Sequence, residues 1–477
     1  MGGLFVPRGP GLSAFPLALR WAVCYEILMV GWRQKGLAAP PRATGGGCGR
    51  KAAKIKFLFV SVFAVPLLSS AQLLENGDAV PAADPALIFS DGSYYVFSTG
   101  VGAPIYRSDD LIRWKPAGHV FDKGFPAWLA GELPESSASV WAPDEVKVGD
   151  EYRVYWSTST LGSQNSVIGL AVNRTLDPDS PDYRWEDRGM VIRTTKGDDW
   201  NAIDPQCFID RQGKAWLLMG SYWSGIRMYR LDKDGSLSKA DKVVYPLARR
   251  TGKDVSLEGG YIIRRKGFYY LFVSFGKTAS WGMHNTYDVR VGRAVEVAGP
   301  YVDMDGTPLM KGGGTLVLKG HGNICGPGHC SVLQDNGRTW LAHHYFDPER
   351  GMSRLLQIRP MFWSRSGWPV AGEPVKANEK KFGSPSGEWA YSVDYAEPLT
   401  VALNEDHSIG TPGTIGGTWN LADGILHLTF EWIPSNYGGG KTYRYKAGYF
   451  YDPDGHWFVG RNQYGQIMKG KRFFPGR

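Results

Sequence analysis

Cysteine is scarce in this chain of 477 residues, with five in all, and two of them, Cys24 and Cys48, fall near the N-terminus. The other three, Cys207, Cys325 and Cys330, make an odd set, which argues against a disulfide scaffold. Cys325 and Cys330 could close a short loop or stand reduced. No second Cys or His pair has zinc spacing, so a Cys/His metal cluster is not expected. Net charge is lacking too once it is located. The formal charge is +8, but residues 1–56 hold nine basic and one acidic side chain, and the rest of the chain is balanced. That removes the electrostatic argument for a nucleic-acid partner. The apolar run Phe57–Leu68 is too short for a comfortable bilayer span. Helical periodicity is sparse, whereas Gly, Trp and Tyr are abundant, which points to an all-β, loop-rich protein.

The basic excess has a local meaning. Lys51, Lys54 and Lys56 precede the apolar run, and Ser69-Ser70-Ala71 follows it before Gln72. A basic region, a short apolar core and small residues form a secretory signal, cut near Ala71. Residues 51–71 therefore read as a signal peptide, and 1–50 as an unstructured leader or an over-extended start. The processed protein is expected to be secreted or periplasmic, with no membrane attachment.

What is present is a repeat. Acidic residues open stretches of one kind at Asp84, Asp204 and Glu258: an acid, small residues or Pro, a β-rich run, a Gly turn and an aromatic strand. Related stretches start at Trp141 and Gly328, which gives five hairpins turning at Asp91-Gly92, Gly149-Asp150, Gln212-Gly213, Lys266-Gly267 and Asn336-Gly337. Regular recurrence suggests a radial array in which equivalent strand starts face one axis. Three acids far apart in sequence then meet at one mouth and can flank one bond. As isolated pairs, Asp84-Pro and Asp204-Pro would read as turn starts; their recurrence with Glu258 favours a site. Asp144 reads as a strand-entry or supporting carboxylate, and Glu145 as solvated.

The expected fold is a five-bladed β-propeller over residues 72–370, a linker over 371–386, and a small C-terminal β-sandwich or barrel over 387–477. A monomer is expected.

Asp84-Pro, Val-Trp-Ala-Pro-Asp at 140–144, Asn-Ala-Ile-Asp-Pro at 201–205, Gly-Ser-Tyr-Trp-Ser-Gly-Ile at 220–226, Leu-Glu-Gly at 257–259 and Gly-Pro-Gly-His at 326–329 form a motif set. Together they resemble glycoside hydrolase family 43. Within the family the pattern is most similar to the endo-1,5-α-L-arabinanases that carry a C-terminal β domain. The resemblance spans roughly residues 75–475. It implies hydrolysis of internal α-1,5-L-arabinofuranosyl linkages with inversion, Asp84 as general base, Glu258 as general acid, and Asp204 tuning and orienting the acid. Such chemistry needs a protonated carboxyl at the leaving oxygen and an ionised one holding water on the opposite face. The resemblance also implies a calcium ion near His329, held mainly by water because calcium prefers oxygen. His321, His343 and His344 read as structural.

Trp141, Ala142, Asn201, Tyr222, Trp223 and Ser224 stand in the matching motifs and are the expected contacts to arabinan or an arabino-oligosaccharide, with aromatic faces packing on sugar rings. The competing readings are an exo-acting α-L-arabinofuranosidase or β-xylosidase of the same family, and a sugar-binding propeller without catalysis. A propeller without catalysis should lack at least one acid, and all three are present.

Overall fold

The computed structural model describes residues 74–75 and 80–473, apart from 123, 137–138, 279–284, 351–352, 377–381, 411–414, 433–442 and 463. The expected signal peptide and leader lie outside the described residues. No helix among the described residues is long and apolar enough to cross a membrane.

Each hairpin seen in the sequence forms the two inner strands of a four-stranded antiparallel blade. Blade 1 runs through Ala83–Ser90, Ser93–Thr99, Pro104–Ser108 and Arg113–His119, with Leu74–Glu75 added at its outer edge. Blade 2 uses Trp141–Val148, Glu151–Ser159, Ser166–Asn173 and Glu186–Thr194. Blade 3 uses Gln206–Ile209, Ala215–Met219, Ile226–Arg230 and Tyr245–Ala248; blade 4, Leu257–Arg265, Phe268–Phe275, Asp288–Ala294 and Thr315–Lys319. Blade 5 uses Cys325–Asp335, Arg338–Phe346, Arg354–Trp363 and Pro369–Ala371. Three of the hairpin turns, Asp91-Gly92, Lys266-Gly267 and Asn336-Gly337, take positive φ at both residues. That is the two-residue turn whose twist suits flanking strands.

Each inner strand packs against the next, and that of blade 5 against that of blade 1, so the ring closes. Leu356 donates its N–H to the carbonyl of Val80, and Leu87 donates to the Ser331 hydroxyl, across this closure. Apolar clusters fill the spaces between blades, for example Phe97, Val140, Val154 and Trp156 between blades 1 and 2. The five inner strands start at one face of the ring, and their hairpin turns lie at the other.

The C-terminal domain is one eight-stranded antiparallel sheet built from Gly387–Val393, Leu399–Leu403, Ile409–Gly410, Ile415–Ala422, Ile425–Trp432, Tyr443–Tyr451, Trp457–Arg461 and Ile467–Arg472. A bridge between Ser408 and Thr418 joins its two edges, so the sheet curls into a nearly closed barrel around Trp389, Leu426, Tyr449 and Phe458. Closure removes the unpaired edges a flat sheet would expose.

The barrel is fastened to blades 4 and 5. The Arg461 guanidinium donates to the carbonyls of Pro369 and Leu316, and the Tyr395 hydroxyl to the carbonyl of Val317. Phe362 stacks on Phe450 with centroids 4.7 Å apart, and Lys469 pairs with half-buried Glu373. Gly372 and Val375 still donate backbone N–H groups to blade 5, so the chain stays with the propeller past the expected start of the linker at 371. A cavity of about 1210 Å³ lies at this junction by the Asn336-Gly337 turn, on the face away from the acids.

Candidate active site

The mouth of the ring is shaped by one backbone device used five times. Asp84, Ala142, Asp204, Gly259 and His329 all adopt left-handed φ, between 40° and 61°. In four blades the pairing with the second strand slips at this point, between Ala83 and Ala86, Trp141 and Asp144, Glu258 and Tyr261, and Gly328 and Ser331. A bulge with an αL residue bends the strand and re-aims its side chains, and non-glycine residues hold that conformation only where the surroundings enforce it. Asp84, Asp204 and His329 therefore occupy one equivalent position. Glu258 does not: it stands one residue earlier, where blades 1, 2 and 5 place Ala83, Trp141 and Gly328. The expected equivalence of three acids is thus corrected to two acids and a third offset by one residue.

Asp84 is held as an acceptor. Its Oδ2 receives the Thr99 hydroxyl at 2.5 Å, and that hydroxyl accepts the N–H of Ala142 at 2.8 Å. Its Oδ1 lies 3.2 Å from Nδ1 of both His329 and His344. Burial alone would raise the Asp84 pKa, yet His329, His344 and Arg354 together outweigh it and hold the carboxyl well below the usual range. Burial pushes both imidazoles down, opposed in each by the Asp84 charge. Asp84 is ionised.

Glu258 has the opposite setting. Ser221 donates its hydroxyl to Oε2 at 2.6 Å and the Tyr287 phenol bonds Oε1. Burial raises the pKa to about 7, helped by repulsion from Asp84 and opposed by Ser221 and Arg354. Asp204 accepts the N–H of Gly259 at 3.3 Å, which seats it beside the acid. Burial, then repulsion from Glu258 and Asp84, pushes its carboxyl well up. Glu258 and Asp204 titrate as a pair that keeps a proton near neutrality.

The other expected residues divide. Trp141 is half-buried beside Ala142, and Tyr222 and Trp223 sit half-buried in left-handed conformations, φ 52° and 36°, their rings 6.3 Å apart. The Tyr222 N–H donates to Leu257, and burial with the Glu258 charge raises its phenol to about 12, so it flanks the acid. Ser224 accepts from Arg227, and Asn201, 3% exposed, is turned into the blade where its Oδ1 accepts the Ser166 hydroxyl. His321 packs on Tyr395 at the junction with the barrel, and His343 bonds Arg359. His344, read as structural, faces Asp84. Glu145, expected in solvent, is buried, as is Asp144, which accepts the Cys207 N–H at 3.0 Å. The inner strand of a blade is covered on both faces, so alternation gives neither side chain a route to water. Burial pushes both carboxyls well up. Cys207, Cys325 and Cys330 are all free thiols.

Beneath the acids a small axial cavity of about 20 Å³ is lined by Asp84, Asp144, Asp204, Tyr261, His329 and Ser331. It has room for about one water-sized sphere. Among the described residues no group of three His, Cys, Asp or Glu side chains could by itself hold a metal ion.

Thr99, Tyr287, His344 and Arg354 are members of this constellation that lie outside the motifs, and Ser221 of the 220–226 motif joins them. An ionised carboxylate and a carboxyl that keeps its proton, gathered at one mouth, are the equipment for splitting a glycosidic bond. The family model of glycosyl hydrolases family 43 matches residues 79–369, and the chain belongs to that family and is a glycoside hydrolase. It is 34% identical over 317 residues to the extracellular exo-alpha-(1->5)-L-arabinofuranosidase ArbA of Cellvibrio japonicus, covering 64% of this chain and 90% of that one. It is 35% identical over 290 residues to the extracellular endo-alpha-(1->5)-L-arabinanase 1 of Bacillus subtilis, covering 60% and 86%. The solved structure of an alpha-L-arabinanase from Cellvibrio cellulosa complexed with arabinohexaose superposes with a TM-score of 0.59 at 33% identity, over 61% of this chain and 96% of that one.

Proposed function

We propose that this protein hydrolyses α-1,5-L-arabinofuranosyl linkages within arabinan, with inversion and by internal cleavage, outside the cytoplasm. The observation that carries the reading is the opposed setting of Asp84 and Glu258 at one mouth. Ionised Asp84, fixed by Thr99 and two imidazoles, takes a proton from water as it attacks the anomeric carbon. Glu258, with a pKa near 7, gives its proton to the leaving oxygen. Asp204 beside it disfavours early loss of that proton and fixes the strand through Gly259. Trp141, Tyr222 and Trp223 offer ring faces to the sugars.

Inversion requires about 6.5–9.5 Å between the two carboxyl groups, space for one water. NMR of the first product formed tests it: a β-anomer is expected from the α-linkage, and retained configuration would end the proposal. The two named relatives differ in endo and exo action. Products from linear arabinan decide: short oligomers are expected, and arabinose alone from the start would favour the exo reading.

A cation is part of the proposal. Ionised Asp84 and the His329 imidazole line the axial cavity, and a cation there would favour the ionised forms of Asp144 and Asp204, which burial opposes. Water would complete the shell of a calcium ion. When bound, it would supply a positive field beneath the acids. Chelation should lower the melting temperature; an unchanged melt and rate would discard it. Export is supported by the basic and apolar segment before Gln72 and by two extracellular relatives, and N-terminal sequencing of the exported protein should begin near Gln72. Sedimentation of the processed protein should give a monomer.

A further inference from the structure

We infer that Tyr287 is a positioning residue for bond cleavage, holding the Glu258 carboxyl, together with Ser221, in the orientation from which it protonates the leaving oxygen. The inference rests on the assignment of Glu258 as the acid.

Tyr287 lies just before the third strand of blade 4 and is 2% exposed. Its hydroxyl bonds Oε1 of Glu258 while Ser221 donates to Oε2, so each carboxyl oxygen has a hydroxyl partner, one from blade 3 and one from the acid's own blade 4. The ring is fixed on two sides. It stacks on His344 with centroids 5.9 Å apart and planes 29° apart. On another side lies Gly328, where a Cβ would stand 2.3 Å from Cδ2 of the ring. Gly328 is not in a left-handed conformation, so its smallness serves the space that Tyr287 fills. This gives the Gly-Pro-Gly-His motif a second role beyond carrying His329.

The chemistry follows from the two hydroxyls. As the glycosidic C–O bond breaks, the electron pair goes to the leaving oxygen and the proton passes from Glu258 to it, leaving a carboxylate. Hydroxyls already seated on both oxygens can then both donate to it, so the negative charge develops in a prearranged field. Neither hydroxyl transfers a net proton. Tyr287 also touches His344, whose Nδ1 is 3.2 Å from Asp84, so one ring ties the geometry of acid and base.

The test compares two substrates. Tyr287→Phe keeps the ring and removes the hydroxyl. Its kcat on linear arabinan should fall by about 10–100-fold with KM changed less than about threefold, whereas kcat on a dinitrophenyl arabino-oligosaccharide, whose leaving group needs no proton, should change less than about threefold. Gly328→Ala should reproduce the pattern by displacing the ring, with melting curves recorded for both variants. Equal losses on both substrates would mean a general structural role and overturn the inference. So would full activity of Tyr287→Phe on arabinan when Glu258→Gln is inactive. Full activity of Glu258→Gln on arabinan would instead remove the acid assignment on which the inference stands.

Discussion

Asp84 in blade 1 and Glu258 in blade 4 are carboxyl groups at the same mouth, both shielded from water, and they are pushed in opposite directions. The same burial acts on each. What separates them is the company supplied by neighbouring strands: Asp84 meets a hydroxyl donor and two imidazoles, while Glu258 meets two hydroxyls and the repulsion of Asp84. Arg354 lowers both, so the direction of its effect does not distinguish them. Residue type therefore says little about which carboxyl is acid and which is base; the partners that neighbouring segments bring to each decide.

The sharpest way to break the comparison is to neutralise each member. Glu258→Gln and Asp84→Asn should each lower kcat on linear arabinan by about 10²–10⁴-fold. A dinitrophenyl substrate should rescue the first and not the second, and rescue of both would erase the distinction. Next in size is the response to pH. Glu258 must carry its proton, so the rate should fall through about pH 7 on the alkaline side, tenfold per unit beyond it. A rate that is flat to pH 9 would contradict the raised pKa. Arg354→Met should be smaller: losing a cation that favours the Glu258 carboxylate should move that alkaline limb upward by up to about one unit. A limb that stays in place would remove Arg354 from the electrostatics of the acid.

The smallest effect concerns a buried acid outside this pair. Glu145 has a folded pKa pushed well up by burial, so its contribution to stability is full at low pH and is lost as pH rises above the ordinary carboxylate range. Its Oε2 is buried with no hydrogen-bond partner among the described residues. Glu145→Gln should therefore melt a few degrees above the parent at pH 8 and close to it at pH 4. An equal difference at both values would assign the effect to packing.

Much of this was legible in the sequence. Gly turns between alternating strands located all five hairpins, and the acids with His329 marked the mouth. The one-residue offset of Glu258 was less visible, because motifs were matched by their acids. Gly259 was the available signal, since it occupies the seat that Asp84 and Asp204 fill and the φ there suits glycine. His343-His344 was a harder case: adjacent strand residues point to opposite sides, so one had to face the acids, and only the register of the second strand chooses His344. Tyr287 and Arg354 sit on or beside third strands, where no motif signals orientation. Glu145 was misjudged because a propeller strand buried on both faces loses the alternation that normally separates inside from outside.

Five seats of one backbone shape at the mouth mean that the fold fixes where a side chain stands and leaves open which side chain it is. Aspartate fills two, and alanine, glycine and histidine the others. A single codon, with no loop rebuilt, is then the distance between one chemical repertoire and another on the same ring.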